Sequence, residues 1–375
     1  MMKFNIERKL LDDELSRISK VVPNRSTMPI LGNIMFSLEG NKLTLRASDI
    51  EVTMQSSLQV DGEEDGEVVI PSNYLRSIIN EIDEKTVTFK VLDDNSITID
   101  TEAGDYEING RPTDEFPSLP EIDEPSELSI NKEKLARMIS KTIVAVGTDE
   151  LKPAFLGVLF HIKEDELRLV ASDVHRLAYI SNKQNFSSDM VEEEVIIPTK
   201  FLNILTGYLT DDEDISLIIG SNHVKVEFNS RKIYTRLIDE NFPDYENYIP
   251  EENDKIALFN TESLKSALKR VSIFSDKKTH EVSIIFDDDK AKLETLNREQ
   301  STSAEEFVDI SYEDEPLKIG FNGKYFREML ENVDTEKSIL KLDSKLTANL
   351  LLPAEQREGE DLKMIVMPIR MDEEE

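Results

Sequence analysis

The sequence predicts an α+β protein built from three copies of one unit, and three observations carry that reading. The phrase Leu43-Thr-Leu-Arg-Ala-Ser-Asp49 returns as Leu167-Arg-Leu-Val-Ala-Ser-Asp173, with the Ser-Asp pairs 124 positions apart in a chain of 375 residues. Apolar-periodic segments of helical spacing come in pairs, one pair per third. Each third closes on a proline after a large apolar residue, at Phe116-Pro117, Phe242-Pro243 and Met367-Pro368. A period near 125 residues exceeds the roughly 20–50 of solenoid repeats and suits a domain with its own core. Boundaries are expected at 1–122, 128–250 and 254–375, with the acidic, proline-bearing stretches 121–127 and 250–254 as linkers.

The first helix of each pair is expected at Arg8–Lys20, Asn131–Lys141 and Thr261–Lys278. Leu11, Leu15 and Ile18 mark the apolar face of the first, Leu135, Met138 and Ile139 that of the second, and Leu264, Leu268 and Val271 that of the third. Thr261 reads as a capped start. The second helices are expected at Pro71–Ile82, Pro198–Leu209 and Asn322–Val333, two of them opened by a proline, which the first helical turn tolerates. Short alternating runs between them read as strands: Ile34–Leu38, Val87–Val91, Ile97–Asp100, Val158–Ile162, Ile215–Ile219, Val224–Phe228, Val282–Phe286 and Ile339–Leu342. Acidic turns such as Asp93-Asp-Asn95 and Asp287-Asp-Asp289 separate them, the pattern of antiparallel meanders.

Composition narrows the function. Cysteine is absent, so no disulfide framework exists and a reducing, cytoplasmic setting is expected. The start of the chain has no apolar signal-like core, and nowhere do 18 apolar residues run together. The net charge of −33 argues, as an average, against nucleic acid. Its distribution reverses that argument, because the six helical segments hold 17 Lys/Arg against 9 Asp/Glu. Lys134, Arg137 and Lys141 recur at i, i+3 and i+7, opposite the apolar face. Arg17 with Lys20 and Lys265 with Lys269 form similar stripes. Solvated helix faces explain any one stripe, while three corresponding ones point to a shared basic surface that follows a phosphate backbone without reading bases.

Enzyme chemistry is not expected. Ser172, Asp173 and His175 stand too close along an extended chain to form a nucleophilic relay, and the first copy has Glu51 where the histidine would stand. The shared Ser-Asp reads instead as a turn former. Four histidines and no cysteine leave a soft metal site without ligands, and no Gly-rich phosphate loop occurs among 13 glycines. Neither a cofactor nor a metal is expected.

Met28-Pro-Ile-Leu-Gly-Asn-Ile34, Ala171-Ser-Asp-Val-His-Arg-Leu-Ala178, Asn241-Phe-Pro-Asp-Tyr245 and Val366-Met-Pro-Ile-Arg370 resemble the bacterial β sliding clamp family, over the whole chain. The resemblance implies the DNA clamp fold, with two helices packed on antiparallel sheets in each of three domains, and a head-to-tail homodimeric ring enclosing duplex DNA. Implied partners are the DNA polymerase III catalytic subunit, the clamp loader and other replication and repair proteins, which dock through a short linear peptide. Carried over by position, the peptide pocket comprises Phe155, Ser172, Val174, His175, Arg176, Leu177, Pro243, Val366, Met367, Pro368, Ile369 and Arg370. Arg176 and Arg370 would hold polar peptide groups at its rim. The sequence departs from the family pattern at Asn247-Tyr248, where relatives carry a basic and an aliphatic residue. DNA-facing cations would be Arg25, Lys134, Arg137, Lys141, Lys152, Lys200, Lys265 and Lys269. At the dimer contact Tyr106 and Ile108 would meet Ile273 and Phe274 of the other copy, while helix core is an equally simple reading of Ile273 and Phe274. Met371-Asp-Glu-Glu-Glu375 is an extra acidic tail, read as solvated. From another class, the competing reading is an acidic peptide-binding scaffold that does not encircle DNA.

Overall fold

A computed structural model describes residues 1–184, 186–189 and 192–371. The chain packs as two compact units, each larger than one third of the sequence. The reason is visible in the strand pairing within each unit, where a strand of one repeat joins a strand of the next.

The first unit comprises Met1–Ser129, Lys200–Tyr208 and Asp214–Leu237. Its smaller sheet is antiparallel, in the order Asp61–Glu64, Met2–Glu7, Thr86–Val91, Ser96–Asp100 and Asp105–Asn109. Alternation puts Phe4 and Phe89 on the inner face, where their rings stack at 5.0 Å. Its larger sheet runs Asp214–Ile219, His223–Phe228, Arg231–Arg236, Val52–Gln59, Lys42–Ser48, Asn33–Glu39 and Gly66–Pro71. Within it, Arg231–Arg236 of the second repeat pairs with Val52–Gln59 of the first, Arg231 opposite Ser56. Helices α1 (Arg8–Ile18) and α2 (Ser72–Glu81) bury Leu11, Leu15, Ile18, Leu75 and Ile79.

The second unit comprises Ile130–Thr199, Leu209–Glu213 and the chain from Ile238. One antiparallel sheet of 13 strands runs through it. At its middle, Arg176–Asn182 of the second repeat pairs with Glu360–Val366 of the third, Arg176 opposite Val366. This junction is built as the one in the first unit is, since both Val52–Gln59 and Arg176–Asn182 are the strands that follow a Ser-Asp turn. Helix α3 (Lys132–Thr142) packs on Leu167–Ser172 and Arg176–Asn182, and α5 (Thr261–Val271) packs on α6 (Gly323–Leu330). The remaining helix, α4 (Thr199–Thr206), belongs to the first unit from Lys200 on and buries Phe201, Leu202, Ile204 and Leu205.

All eight expected strands fall inside observed ones, and all six helices form. Three details differ. Pro71 and Pro198 are the last residues of strands, one position before their helices, so proline stops a ladder there instead of opening a helix. The cap before α5 is Asn260, whose side chain accepts from Ser263 N at 2.9 Å, while Thr261 Oγ1 donates to Thr335 O. Asn131 and Asn322 cap α3 and α6 in the same way. Helix α5 ends at Val271, and a 3-10 turn at Ser272–Phe274 follows. Asp276 then accepts from Lys278 N and Thr279 N, a local turn that competes with further helix, so Lys277 and Lys278 lie beyond it.

Candidate functional site

The Ser-Asp turn is the frame of the site. Ser172 Oγ accepts from Val174 N at 3.1 Å and donates to Arg176 O at 2.8 Å, while Asp173 Oδ1 accepts from His175 N and Arg176 N, both at 3.0 Å. In the first repeat Ser48 Oγ accepts from Ile50 N and Asp49 Oδ1 from Val52 N. These bonds hold a β-branched residue in the left-handed region in both copies, Ile50 at φ 80 and Val174 at φ 79. That conformation is strained for such side chains and persists because side-chain acceptors over-determine it. Ser172 is thus committed to backbone groups and Asp173 to backbone groups and the Arg176 side chain, and they form no relay with His175.

The turn opens onto an apolar pocket lined by Phe155, Ser172, Val174, Arg176, Leu177, Phe242, Pro243, Tyr245, Tyr248, Ile365 and Met367. Its cavity is about 120 Å³, well below the roughly 300–1,000 Å³ of sites that enclose a drug-sized ligand. It suits one or two apolar side chains of a longer partner. The floor is a buried cluster that includes Leu159, Val170, Leu177, Tyr179, Phe242, Tyr245 and Ile365. Phe155 meets Phe242 edge to face at 5.7 Å.

Polar groups beneath the pocket fix its wall. The Arg176 side chain, 8% exposed, donates to Asp173 Oδ2 at 3.0 Å and to Glu328 Oε2 on α6 at 2.6 Å. Its guanidinium lies over the Tyr325 ring, 4.3 Å from the centroid. Arg176 therefore locks the turn to α6 through its Nε and Nη1. On the other wall the Tyr245 hydroxyl meets His161 Nδ1 at 2.8 Å and accepts from Arg168 at 3.2 Å. Arg168 also binds Glu166 and Glu246. Burial pushes the Tyr245 hydroxyl up to about 12, with the hydrogen bond from Arg168 opposing. Burial likewise holds His161 below its ordinary value, with Glu194 opposing.

Of the expected pocket residues, the structure brings together Phe155, Ser172, Val174, Arg176, Leu177, Pro243 and Met367. Five lie to the side. Val366 is buried in its strand, His175 stacks on Tyr325 at 6.1 Å, Pro368–Ile369 pairs with Leu317–Asn322, and Arg370 is exposed. Phe242, Tyr245, Tyr248 and Ile365 were not anticipated, although the Phe-Pro-Asp-Tyr phrase contains two of them. The tail residues Asp372–Glu375 lie outside the described residues.

The basic stripe on α3 is not an open cationic face. Arg137 binds Glu360 at 2.7 Å and Asp334 at 2.5 Å, Lys134 reaches Glu360 at 3.4 Å, and Lys141 donates to Asn332 O at 2.7 Å. The Glu360 side chain is 1% exposed, and a buried carboxylate without its cations is costly. Those three residues therefore also brace the packing of the second unit. Lys200 pairs with Asp49 and Lys265 with Glu262. Arg25, Lys152 and Lys269 are exposed, Lys152 only loosely near Asp149 at 4.0 Å.

Tyr106 and Ile108 sit on Asp105–Asn109, the edge strand of the first unit's smaller sheet. With Pro71, Tyr74 and Ile78 they line a shallow apolar hollow. In the second unit Ile273 and Phe274 project from their 3-10 turn, 74% and 41% exposed, large apolar groups in search of cover.

Among the described residues no cluster of His, Asp or Glu suits a metal ion, and no helix is long and apolar enough to cross a membrane. A repeated α+β scaffold with an apolar side-chain pocket over a strained turn defines a docking protein of the clamp type. Family models for the N-terminal, central and C-terminal domains of the DNA polymerase III beta subunit match residues 2–120, 129–244 and 246–370, and the chain belongs to that family, the sliding clamps of DNA replication. The beta sliding clamp of Vibrio cholerae is 28% identical over 99% of this chain and all of its own length, and that of Pseudomonas putida 29% over the same shares. The Pseudomonas aeruginosa DNA polymerase sliding clamp, solved with a ligand, superposes with a TM-score of 0.92 at 27% identity, covering 99% of this chain and all of that one. A C. crescentus beta sliding clamp, solved with polyethylene glycol at a region assigned to beta-motif tethering, gives 0.91 at 26% identity, with the same coverage. Sliding clamps are processivity subunits, not catalysts.

Proposed function

We propose that two copies of this chain close head to tail into a ring around duplex DNA, each copy offering its apolar pocket to a short peptide of the replicative polymerase, the clamp loader or a repair protein. The observation that carries the ring is the repeated junction. Within the chain, two junctions join the strand after a Ser-Asp turn to the last strand of the following repeat. The third pair of equivalent edges has no partner among the described residues. Asp105–Asn109 ends its sheet, and Thr302–Asp309 is paired by another strand on one side only. Pairing those edges between two copies completes the pattern, covers Tyr106, Ile108, Ile273 and Phe274, and removes two open sheet edges from each chain.

The boundaries 1–122, 128–250 and 254–375 are proposed as the repeats of that ring, and the cytoplasm as its setting. Arg25, Lys134, Arg137, Lys141, Lys152, Lys200, Lys265 and Lys269 are proposed to face DNA, where weak, sequence-independent phosphate contact permits sliding. The polymerase held by its peptide then sits at high effective concentration beside the primer end. The pocket reading draws support from the C. crescentus relative and from the apolar lining described above. Light scattering tests the ring: it requires the mass of two 42.9 kDa chains at micromolar concentration. A single-chain mass would favour the acidic peptide-binding scaffold.

A further inference from the structure

We infer that the peptide this pocket takes carries basic residues beside its apolar anchor. The inference rests on the pocket reading above and adds the chemistry of the partner.

The pocket holds only one or two apolar side chains, so discrimination falls to the residues around it. Arg176 in its wall and Arg168 behind Tyr245 are each matched by two carboxylates. Arg168 is bound by Glu166 and Glu246, and Arg176 by Asp173 and Glu328. Each cluster therefore carries a net negative charge. Asp244 adds another, bonded to the neutral Asn247 amide at 2.7 Å. The segment that supplies Phe242, Pro243, Tyr245 and Tyr248 is acidic throughout. Between Asp239 and Asp254 the sequence holds seven Asp/Glu and no Lys or Arg. Arg370, next to the Pro368–Ile369 strand, and Lys152, three residues before Phe155, are exposed cations, and the seven carboxylates of residues 239–254 outnumber them.

A peptide with basic flanks gains on approach and in the bound state, and one with acidic flanks is repelled by the rim and by the chain's charge of −33. Of these carboxylates Glu246 and Asp244 are exposed, so the effect is modest for each pair and strongly screened by salt.

The experiment uses full-length protein and three fluorescent peptides with one shared Leu-Phe anchor. Their flanks carry three Lys/Arg, three Ser/Gln or three Asp/Glu, and anisotropy titrations are run at low and high salt. The basic peptide is expected to bind roughly 5- to 10-fold more tightly than the acidic one at low salt, with the gap closing to about twofold at high salt. Glu246→Gln is expected to narrow the low-salt gap. Equal or tighter binding of the acidic peptide would overturn the inference while leaving the pocket intact. Failure of all three to bind, or binding unaffected by Met367→Ala, would overturn the pocket reading and this inference with it.

Discussion

The guanidinium of Arg176 and the carboxylate of Glu328 meet at 2.6 Å although 152 positions separate them in the sequence. The contact fastens the strained turn at Val174 to α6, so the pocket is held in shape before any peptide arrives. A pre-formed pocket avoids the ordering cost that a flexible one would pay on binding.

Removing Arg176 therefore acts on stability as well as on binding. Arg176→Ala leaves Asp173 and Glu328 facing each other without their cation, and about 3 kcal/mol of unfolding free energy is expected to be lost. A double-mutant cycle with Glu328→Gln, followed by urea unfolding, checks this. A coupling energy near zero would show that the pair does not brace the turn.

Met367 presents the opposite case. It is 37% exposed at the pocket mouth and bonded through its backbone N to His175 O at 2.9 Å. Met367→Ala should leave stability within about 0.5 kcal/mol and weaken an anchor peptide by roughly tenfold, the loss of one apolar contact of 1–2 kcal/mol. Anisotropy with thermal unfolding of the same sample measures both.

The charged faces separate in the same manner. Arg137→Ala exposes the buried Glu360 to loss of its closest cation, so about 3 kcal/mol of stability should go. Lys269→Ala and Arg25→Ala, at exposed positions, should change stability by less than about 0.5 kcal/mol. They should instead speed the loss of clamp from DNA as salt rises, read by retention on DNA columns.

Acid should loosen the second unit through His161. Its folded-state value is depressed by burial from an ordinary 6.5. The unfolded chain thus binds the proton first, and stability falls as pH drops from about 6.5 toward the folded value. Lys163 and Arg168 lower His161 further, while Glu192 and Glu194 oppose the shift. Thermal unfolding of wild type and His161→Gln between about pH 7 and 5 should show a steeper decline for the wild type. Parallel profiles would contradict the assignment.

The repeat was legible because its markers are local. Ser48-Asp49 and Ser172-Asp173 form their turns with neighbours two to four residues away, and the apolar periods of α1, α3 and α5 need no distant partner. The pocket was only half legible. Phe155, Leu177 and Met367 came through family likeness, whereas Tyr245 and Ile365 depend on which strands become neighbours in the sheet. The ion pairs of the α3 stripe were hidden for the same reason. Lys134 and Arg137 look solvated in sequence, but their partner Glu360 lies more than 220 positions onward. Local pattern cannot register a charge that only the tertiary fold delivers.

Encirclement is the central claim, and topology gives it a direct test. The protein is loaded by a clamp loader onto nicked circular DNA, separated from free protein, and followed before and after the circle is cut once by a restriction enzyme. Retention on the closed circle for many minutes, with rapid loss through the new ends after cutting, is the predicted result. Equal retention on circular and linear DNA would show ordinary affinity and contradict the ring.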